Sequence, residues 1–347
     1  MYKSMIDELK KCREYVSPED ITIDPAKDTF GIMLLNMGGP DGLDDIQPYL
    51  YNLFCDRNII QLPMSFLLQK PLAKLISSRR TPVVRERYKM IGGGSPQLKW
   101  TRIEADGMIA NLRDIYPGVK AYIGMRYTPP FMEDAFEQAI TDGCRHMLLL
   151  PLYPHYTLAT TGTSFEVASQ WLRRHHPKMS VSIIPHWYDH PGYIALLRDK
   201  ITGAFEKVKD KETAQLLFSA HSLPAKLIAQ GDPYEKQINE TAKLAGEGYD
   251  YLLSYQSQTG PVKWLGPPTP DVIRDLAAKG KKEIIIVPVS FVSDHIETLH
   301  EIDVEFKEYA DEAGIENFIR TESFNDDPRF GKLLATLVKE HFGGENR

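Results

Sequence analysis

Short apolar runs along this chain are separated by longer stretches in which apolar residues recur at helical spacing. This order is typical of βαβ units, in which helices join parallel strands. The run 284–289 is apolar on both faces, which is the pattern of a strand in a sheet that helices cover on both sides. The pattern predicts seven strands, at residues 31–36, 120–125, 146–152, 181–185, 214–219, 251–255 and 283–289.

The segment 189–192, Asp-His-Pro-Gly, interrupts the alternation near the middle of the chain, and similar βα content lies on either side. A length of 347 residues suits two domains. We therefore predict an α/β protein of two doubly wound, parallel-sheet domains with a cleft between them. The predicted parts are an N-terminal extension at 1–27 (an amphipathic helix and a loop), an N-terminal domain at 28–188 and a C-terminal domain at 189–347 with a closing helix at 329–342.

The residues that follow the predicted strands are rich in His, Arg and aromatic side chains. Ligands of open α/β sheets bind at the carboxyl ends of the strands. His221 follows the apolar strand 214–219, and a histidine with its ordinary pKa near ~6.5 is a natural base at neutral pH. A lone histidine is more often structural. His221 and Glu297 end strands of the same half, however, so we expect them to lie close together.

An imidazole and several carboxylates lie where the last predicted strand meets a helix. One interpretation is structural, because Asp294 and Glu297 have the spacing of a capping box. The other is a metal or proton-handling site, because Glu297, Glu301 and Glu305 at i, i+4 spacing repel one another unless a cation relieves the repulsion. His295 lies about 200° round an ideal helix from Glu297. The two can share a metal only if the helix begins irregularly.

The segment 62–80 carries more apolar residues than one helical stripe needs, and Lys70, Lys74, Arg79 and Arg80 accompany them. An ordinary buried helix is one interpretation. The other is an exposed apolar lip that contacts a membrane surface or an apolar ligand, with cations for acidic groups. The residues that would form this lip include Met64, Phe66, Leu67, Leu68, Leu72, Leu75 and Ile76.

Composition narrows the function classes. The chain is 42% hydrophobic and 25% charged, with a net charge of −6. It lacks the excess of basic residues that is typical of nucleic-acid-binding proteins, so we do not expect a nucleic-acid partner. No nucleotide-binding glycine motif is present. The acidic first 20 residues lack an apolar signal region and the apolar runs are short, which favours the cytosol. Three distant cysteines, Cys12, Cys55 and Cys144, favour neither a disulfide framework nor a cysteine-bound cluster.

Nine ordered stretches, from about residue 31 to the end, resemble the ferrochelatase family, whose members insert ferrous iron into a porphyrin. They are LLNMGGP (34–40), NLFCDRNII (52–60), RRTP (79–82), YKMIGGGSP (88–96), GMRYTPP (124–130), PLYPHYTLATTGTS (151–164), LFSAHSLP (217–224), YQSQTGPVKWLGP (255–267) and VPVSFVSDHIETLHEID (287–303). The resemblance implies a chelatase-like fold of two Rossmann-like domains, with Fe²⁺ and a porphyrin as substrates and no required cofactor.

The resemblance also implies residue roles. His221 and Glu297 would be catalytic, and the metal contacts would be His221, Glu297, His295 and Glu301. The porphyrin-binding set would be Met37, Arg79, Arg80, Tyr88, Ser95, Arg126, Tyr127, Tyr153, Trp264 and Phe291. Segment 62–76 would form the membrane-facing lip, so that the cytosolic enzyme contacts a membrane peripherally, and the helix after Ser293 would be wound more widely than an α-helix.

The sequence departs from the family in two places, and it leaves the substrate open. His155 stands where many relatives carry Gln, and the cysteine-rich tail of animal members is absent, so no iron–sulfur cluster is expected. Protoporphyrin IX is the favoured substrate. The alternatives are coproporphyrin III, cobalt or nickel insertion by the same fold, and a tetrapyrrole or metal carrier without catalysis.

Overall fold

The computed structural model describes residues 4–59 and 65–343 of the chain. Its strands are β1 Phe30–Asn36, β2 Val119–Met125, β3 His146–Pro151, β4 Ser180–Ile183, β5 Ala214–His221, β6 Tyr251–Gln256, β7 Glu283–Pro288 and β8 Asn317–Arg320. Its α-helices are α1 Met5–Lys10, α2 Ile46–Cys55, α3 Ser65–Met90, α4 Gln97–Ala110, α5 Met132–Thr141, α6 Thr163–His175, α7 Pro191–Phe205, α8 Ala225–Ala229, α9 Tyr234–Ala245, α10 Thr269–Ala278, α11 Lys307–Ala313 and α12 Pro328–His341. Two π-helices, Leu158–Gly162 and Glu297–Phe306, and two short 3₁₀ turns, Pro18–Asp20 and Leu43–Asp45, complete the described elements.

The described residues form two compact units. The C-terminal unit is Trp187–Phe324, and the N-terminal unit comprises residues 4–186 and 325–343. Each unit contains one four-stranded parallel sheet, with strand order β2-β1-β3-β4 in the N-terminal unit and β6-β5-β7-β8 in the C-terminal unit. The predicted α/β class with two doubly wound parallel sheets is confirmed.

Sequence pattern and structure agree on seven strands, with bounds that differ by at most two residues. Strands β1, β3 and β7 are buried along their whole length, as their continuous apolar runs predict. The pattern missed β8, a four-residue strand whose side chains are all half-buried and which ends in Arg320. A short edge strand of mixed polarity carries too little periodicity to be recognised.

Helix α12 belongs to the N-terminal unit, whereas the predicted domain boundary assigned residues 325–347 to the C-terminal domain. The ring of Phe342 packs edge-on against Phe30 at 4.9 Å between centroids. Gly331 lies so close to Gly107 of α4 that a Cβ on Gly331 would meet the Gly107 backbone at 2.7 Å. The last helix therefore returns to the first sheet, a long-range packing preference that sequence order does not reveal. The cleft predicted between the two domains stays a prediction.

The predicted N-terminal helix and loop dock on the N-terminal unit. Helix α1 packs against α6. The following residues then extend the edge of the sheet beyond β4, because Val16 N–H donates to Val181 O at 2.9 Å and Val181 N–H donates to Glu14 O at 2.7 Å.

Helix α3 is the structural counterpart of the proposed lip. Leu68 is 39% exposed and Leu75 47% exposed, while Leu72 and Ile76 are half-buried and Lys70 is exposed. Met64 and the side chains of Phe66 and Leu67 lie outside the described part of the chain. Within the described ranges, no helix is long and apolar enough to cross a membrane.

Candidate active site

His221 is the last residue of β5, at the carboxyl edge of the C-terminal sheet. Its backbone is fixed from two sides, because its N–H donates to Ser290 Oγ at 3.0 Å and its carbonyl accepts from the Tyr234 hydroxyl at 2.9 Å. The imidazole Nδ1 lies 2.7 Å from Ser222 O. A carbonyl oxygen can only accept a hydrogen bond, so Nδ1 carries the hydrogen and Nε2 carries the basic lone pair.

His295 and Glu297 form an ionisable pair close to the carboxyl edge of this sheet. His295 Nε2 lies 3.0 Å from Glu297 Oε2, but within the described part of the chain Nε2 has no hydrogen-bond partner. His295 Nδ1 lies 3.1 Å from Ser293 O, so Nδ1 carries the hydrogen. Burial lowers the pKa of His295, against the opposing effect of the Glu297 and Asp294 carboxylates. Two acceptors therefore face each other, an arrangement that a proton or a cation between them would stabilise.

Phe291 stands between the two imidazoles. Its ring centroid is 6.1 Å from that of His221 and 4.1 Å from that of His295, with edge-to-face angles of 83° and 62°. Both histidines are thus placed against one aromatic ring that leads from β7 toward the π-helix. An aromatic contact on each ring restricts rotation of the imidazoles.

Glu301 is oriented by the end of β6. Its Oε1 accepts from Ser257 N–H at 2.7 Å, and its Oε2 accepts from Gln256 Nε2 at 3.0 Å and from the Ser257 hydroxyl. Burial raises the pKa of Glu301, while these hydrogen bonds and the positive potential of His221 oppose the rise. Glu305, the third carboxylate of the predicted row, lies 3.5 Å from His300 Nδ1. Each carboxylate of the row has a different partner.

The capping-box interpretation of Asp294 and Glu297 is wrong. The residue before the π-helix is Ile296, and no side chain caps this end. Asp294 Oδ1 instead accepts from the hydroxyls of Thr298 at 3.1 Å and Ser323 at 2.7 Å. The predicted wide winding is confirmed, because the segment Glu297–Phe306 is a π-helix. His295 precedes this helix, which removes the geometric objection to its pairing with Glu297.

The proposed metal residues form a pair and not a closed cage. In the residues that the structure describes, no three His, Cys, Asp or Glu side chains are gathered to hold one ion. Imidazole nitrogen and carboxylate oxygen are ligands that suit ferrous iron. The His295–Glu297 pair offers one of each.

Two predicted porphyrin-binding residues of the N-terminal unit, Ser95 and Tyr88, lie beside the loop that follows β1. Ser95 N–H donates to Pro40 O at 2.7 Å, and a Cβ on Gly39 would lie 2.6 Å from Ser95 Oγ and 3.7 Å from the Tyr88 hydroxyl. Only glycine fits this approach. Met37, in the same loop after β1, is half-buried. Ser95 and Tyr88 therefore lie beside the loop that carries Met37, and their contact with a porphyrin stays a prediction.

Arg126 is held by a buried carboxylate that the sequence analysis did not single out. Its Nη2 donates to Asp56 Oδ2 at 2.7 Å and its Nε to Thr163 Oγ1 at 2.9 Å. The same Asp56 oxygen accepts from the Tyr127 hydroxyl at 2.8 Å and from Thr163. Asp56 is 6% exposed, and Tyr127 is fully buried, with its pKa raised by burial and by Asp56. Tyr127 thus supports Asp56 and offers no exposed face to a porphyrin.

The remaining predicted residues are scattered over the two units. Arg79 and Arg80 are exposed on α3, and the Arg80 guanidinium lies 5.7 Å from the centre of the Phe54 ring. Trp264 is half-buried and its indole N–H donates to Thr259 O at 2.9 Å. Tyr153, after β3, has a pKa raised by burial, and its hydroxyl has no hydrogen-bond partner among the described residues.

His155 is 2% exposed, and burial, with a smaller contribution from His186, lowers its pKa to about 3. The His155 ring is therefore neutral near pH 7.

Gln256 is a site residue that sequence reasoning missed. Its Oε1 accepts from Ser219 of β5 at 2.8 Å, and its Nε2 donates to Glu297 O at 3.2 Å and to Glu301 Oε2. One amide thus ties β5 to the first turn of the π-helix. The signal was a buried glutamine at the end of an apolar strand, because a buried amide requires partners.

The chain is similar in sequence to known ferrochelatases. The ferrochelatase family model matches residues 29–342. The chain is 44% identical over 315 residues to the ferrochelatase of Gloeothece citriformis, covering 89% of this chain and 81% of that protein. It is 43% identical over 317 residues to the ferrochelatase of a Synechocystis species, covering 89% and 82%.

Among solved structures, SirB from Bacillus subtilis with Fe³⁺ matches at a TM-score of 0.55 and 12% identity, covering 91% of this chain and 97% of SirB. The sirohydrochlorin chelatase SirB in complex with cobalt matches at 0.53 and 11%, covering 91% and 96%. At these identities the likeness concerns the fold alone.

Proposed function

Because the chain belongs to the ferrochelatase family, we propose that it inserts Fe²⁺ into protoporphyrin IX at the carboxyl edge of the C-terminal sheet. The reaction forms protohaem and releases the two pyrrole protons, with Fe²⁺ as a substrate. The observation that carries the proposal is the approach of His295 Nε2 and Glu297 Oε2 to 3.0 Å, beside the basic His221.

His221 is the proposed proton acceptor. Its Nδ1 hydrogen is committed to Ser222 O, so Nε2 is the nitrogen that takes a pyrrole proton. Its backbone is anchored by Ser290 and Tyr234. A base whose main chain is fixed loses little entropy when the substrate arrives, which favours proton transfer over rearrangement.

His295 and Glu297 are the proposed iron contacts, and Glu301 is proposed to bind iron on its way to them. Nitrogen and oxygen ligands hold ferrous iron less tenaciously than a thiolate set would, so the ion can be transferred to the porphyrin. Because the pair leaves most coordination positions of the ion open, water or pyrrole nitrogens can complete the shell. Two protein ligands suit Fe²⁺ as a substrate, because the ion must leave the protein when it enters the porphyrin.

Porphyrin binding is assigned to the aromatic and cationic residues predicted from the sequence. In the C-terminal unit, Phe291 and Trp264 are proposed to contact the macrocycle. Metal entry requires the planar ring to bend and its N–H groups to lose their protons, and peripheral binding energy can support roughly 1–5 kcal/mol of such strain.

In the N-terminal unit we assign Met37, Tyr88, Arg126 and Tyr153 to the macrocycle and Ser95, Arg79 and Arg80 to the acidic propionates. Hydrogen bonds to Asp56 and Thr163 hold the Arg126 guanidinium in one orientation. This supports a role of Arg126 in porphyrin binding, since an oriented guanidinium loses less conformational entropy when it binds a ligand. We assign Tyr127 an indirect role, through Asp56.

Peripheral contact with a membrane is the proposed role of α3. Leu68 and Leu75 lie seven residues apart on one helical face and are both exposed, with Lys70 and Lys74 nearby. An exposed leucine forgoes the roughly 1.5–3 kcal/mol that burial provides, and lysines beside it suit an anionic surface. A porphyrin that is nearly insoluble in water would be collected there.

The direct test is an assay of the purified protein with Fe²⁺ under anaerobic conditions, with protoporphyrin IX and coproporphyrin III in parallel. Metalloporphyrin absorbance should rise with protoporphyrin IX at least ten times faster. Faster turnover of coproporphyrin III would contradict the proposed substrate and would identify coproporphyrin III as the substrate. Porphyrin binding without metal insertion under any of these conditions would identify a carrier and contradict an enzymatic role.

A further inference from the structure

Arg320, the last residue of the strand that the sequence pattern missed, holds two acidic residues on either side of the π-helix start. Its Nε and Nη2 donate to the two carboxylate oxygens of Asp303 at 2.7 and 2.8 Å. Its Nη1 donates to Asp294 Oδ1 at 2.9 Å. The Arg320 side chain is 14% exposed and that of Asp294 15%. The contact with Asp294 is therefore largely buried, whereas the bidentate contact with Asp303 is half-exposed, with the Asp303 side chain 37% exposed. Two parallel hydrogen bonds from one guanidinium to one carboxylate fix the orientation of both groups.

The two carboxylates are connected to the segments that carry His295 and Glu297. Asp294 directly precedes His295, and its Oδ1 also accepts from Thr298 Oγ1, which in turn accepts from the His295 N–H at 3.0 Å. Asp303 lies within the π-helix, six residues after Glu297. One guanidinium therefore connects the residue before His295 with the helix that carries Glu297.

A helix of this kind needs such support. π-Helices are rare and occur mostly as single-turn bulges within α-helices, frequently at functional sites. The segment Glu297–Phe306 is ten residues long, and its sequence would also suit an α-helix, which has 3.6 residues per turn. If this segment adopted α-helical geometry, Asp303 would rotate about the helix axis relative to Glu297. The two hydrogen bonds between Arg320 and Asp303 would then be broken.

We propose that Arg320 is a positioning residue that holds the π-helix at its wide winding and thereby fixes His295 and Glu297 at the separation that binds the metal. This role rests on the proposed function for its catalytic consequence, but not for its structural one. Arg320 acts through Asp294 and Asp303 and does not itself touch the metal or the porphyrin.

The experiment compares Arg320→Gln, Arg320→Lys and Asp303→Asn with two controls from the same unit. Arg274→Gln removes an arginine of α10 that contacts Asp271 and the Tyr309 ring. Asp311→Asn removes an exposed ion-paired aspartate of the next helix. For each variant we would measure the KM for Fe²⁺, the KM for protoporphyrin IX, the melting temperature and the affinity of the porphyrin-free protein for Zn²⁺.

The expected result is a KM for Fe²⁺ raised at least tenfold in Arg320→Gln and Asp303→Asn, with the KM for porphyrin within twofold of the parent. Arg320→Lys should be equally impaired, because an ammonium cannot form the fork. Zn²⁺ affinity should fall at least tenfold, and both controls should stay within twofold. If the parent protein inserts no iron, the proposed function fails, yet the Zn²⁺ comparison still decides the role of Arg320.

A double-mutant cycle separates positioning from general stability. In a Glu297→Gln background, Arg320→Gln should cost less than threefold in further activity, because the residue through which Arg320 acts is already impaired. A loss as large as in the parent background would overturn the proposal. So would Zn²⁺ affinities within twofold of the parent in folded Arg320→Gln. If Arg320→Gln fails to fold, the same thresholds apply to Asp303→Asn, which retains the side-chain shape.

Discussion

His295 Nε2 lies 3.0 Å from Glu297 Oε2, and both atoms are hydrogen-bond acceptors when Ser293 O fixes the histidine tautomer. A structural pair would normally place a hydrogen between two such atoms. Burial lowers the pKa of His295, so at neutral pH the ring does not supply that hydrogen. A divalent ion bound by both the imidazole and the carboxylate would satisfy the two acceptors, and the proposed iron contact depends on this arrangement.

Glu297→Gln should remove the need for a cation between residues 295 and 297 and should leave the fold intact. A glutamine amide can donate to His295 Nε2, so the pair becomes a hydrogen bond that needs no cation. We expect kcat to fall at least 100-fold and the melting temperature to change by less than about 3 °C, since Glu297 caps no helix. Thermal unfolding and turnover measured on one preparation check this.

Glu301→Gln is the matched comparison. Its amide group would face the donors Ser257 N–H and Gln256 Nε2, which now bond to carboxylate oxygens. We expect a loss of about 1–3 kcal/mol in stability but a smaller loss of turnover than in Glu297→Gln. Equal losses of turnover would contradict the ranking of the two carboxylates.

Asp56→Asn should weaken both the fold and porphyrin binding. The substitution removes the negative charge opposite the Arg126 guanidinium in a site where Asp56 is 6% exposed, and breaking a buried pair costs about 3–5 kcal/mol. We expect the KM for porphyrin to rise roughly tenfold as Arg126 loses its orientation. Urea unfolding and steady-state kinetics provide the two measurements.

Asp44→Asn is the control for that substitution, because Asp44 pairs with Arg85 while its own side chain is 98% exposed. Such pairs contribute less than about 1 kcal/mol. If the two variants lost similar stability, the buried network around Asp56 would have no special importance.

Stability should fall as the pH drops below about 6.5, because the buried His146 and the half-buried His341 of the N-terminal unit resist protonation. Burial lowers the pKa of His146 to about 3 and that of His341 to about 4, from 6.5. They are linked through Ser182, whose Oγ lies 2.8 Å from His146 Nε2 and 2.7 Å from His341 Nε2. Below pH 6.5 the unfolded chain binds protons that the folded chain does not.

The loss should amount to roughly 1–2 kcal/mol per histidine between pH 6.5 and 5. His341→Gln keeps a partner for Ser182 and removes one titrating group. The free energy of unfolding by urea, measured from pH 7.5 to 5, should therefore fall less steeply in the variant. Identical pH slopes for parent and variant would show that His341 does not couple to folding.

The membrane contact of α3 can be tested with residues whose exposure is known. Leu68→Ser with Leu75→Ser should leave stability unchanged, because both leucines are exposed, and should reduce co-sedimentation with anionic vesicles at least fivefold. The matched control is Val83→Ser with Met90→Ser, at exposed positions of the same helix. Equal vesicle binding by both double variants would rule out the lip.

Much of this architecture could be predicted from the sequence. Strands β1, β3, β5 and β7 are central to their sheets and so apolar on both faces, which makes them readable without homologues. His221 and Glu297 were singled out because His221 comes at the end of such a strand and Glu297 begins the helix that follows another. Resemblance, and not periodicity, predicted the wide helix, since an i, i+4 row of carboxylates fits α and π winding alike.

What the sequence did not reveal depends on long-range contacts. Asp56 directly follows α2, and only the fold brings it to Arg126, 70 residues later. Arg320 ends a strand too short and too polar to be predicted. Asp294 had a cap-like spacing to Glu297, but its carboxylate instead accepts long-range hydrogen bonds from Ser323 and Arg320, beside a local one from Thr298. Local sequence patterns thus located the ends of the strands. They did not identify Asp56 and Arg320, which orient neighbouring side chains through long-range hydrogen bonds.

The most direct test of the account is metal insertion by His221→Ala. Turnover with Fe²⁺ and protoporphyrin IX should fall by at least 100-fold, because a positioned base contributes about 10²–10⁴-fold. Porphyrin fluorescence quenching on the same preparation should show binding within twofold of the parent. Turnover within tenfold of the parent, with porphyrin bound normally, would contradict the assignment of His221 as the base.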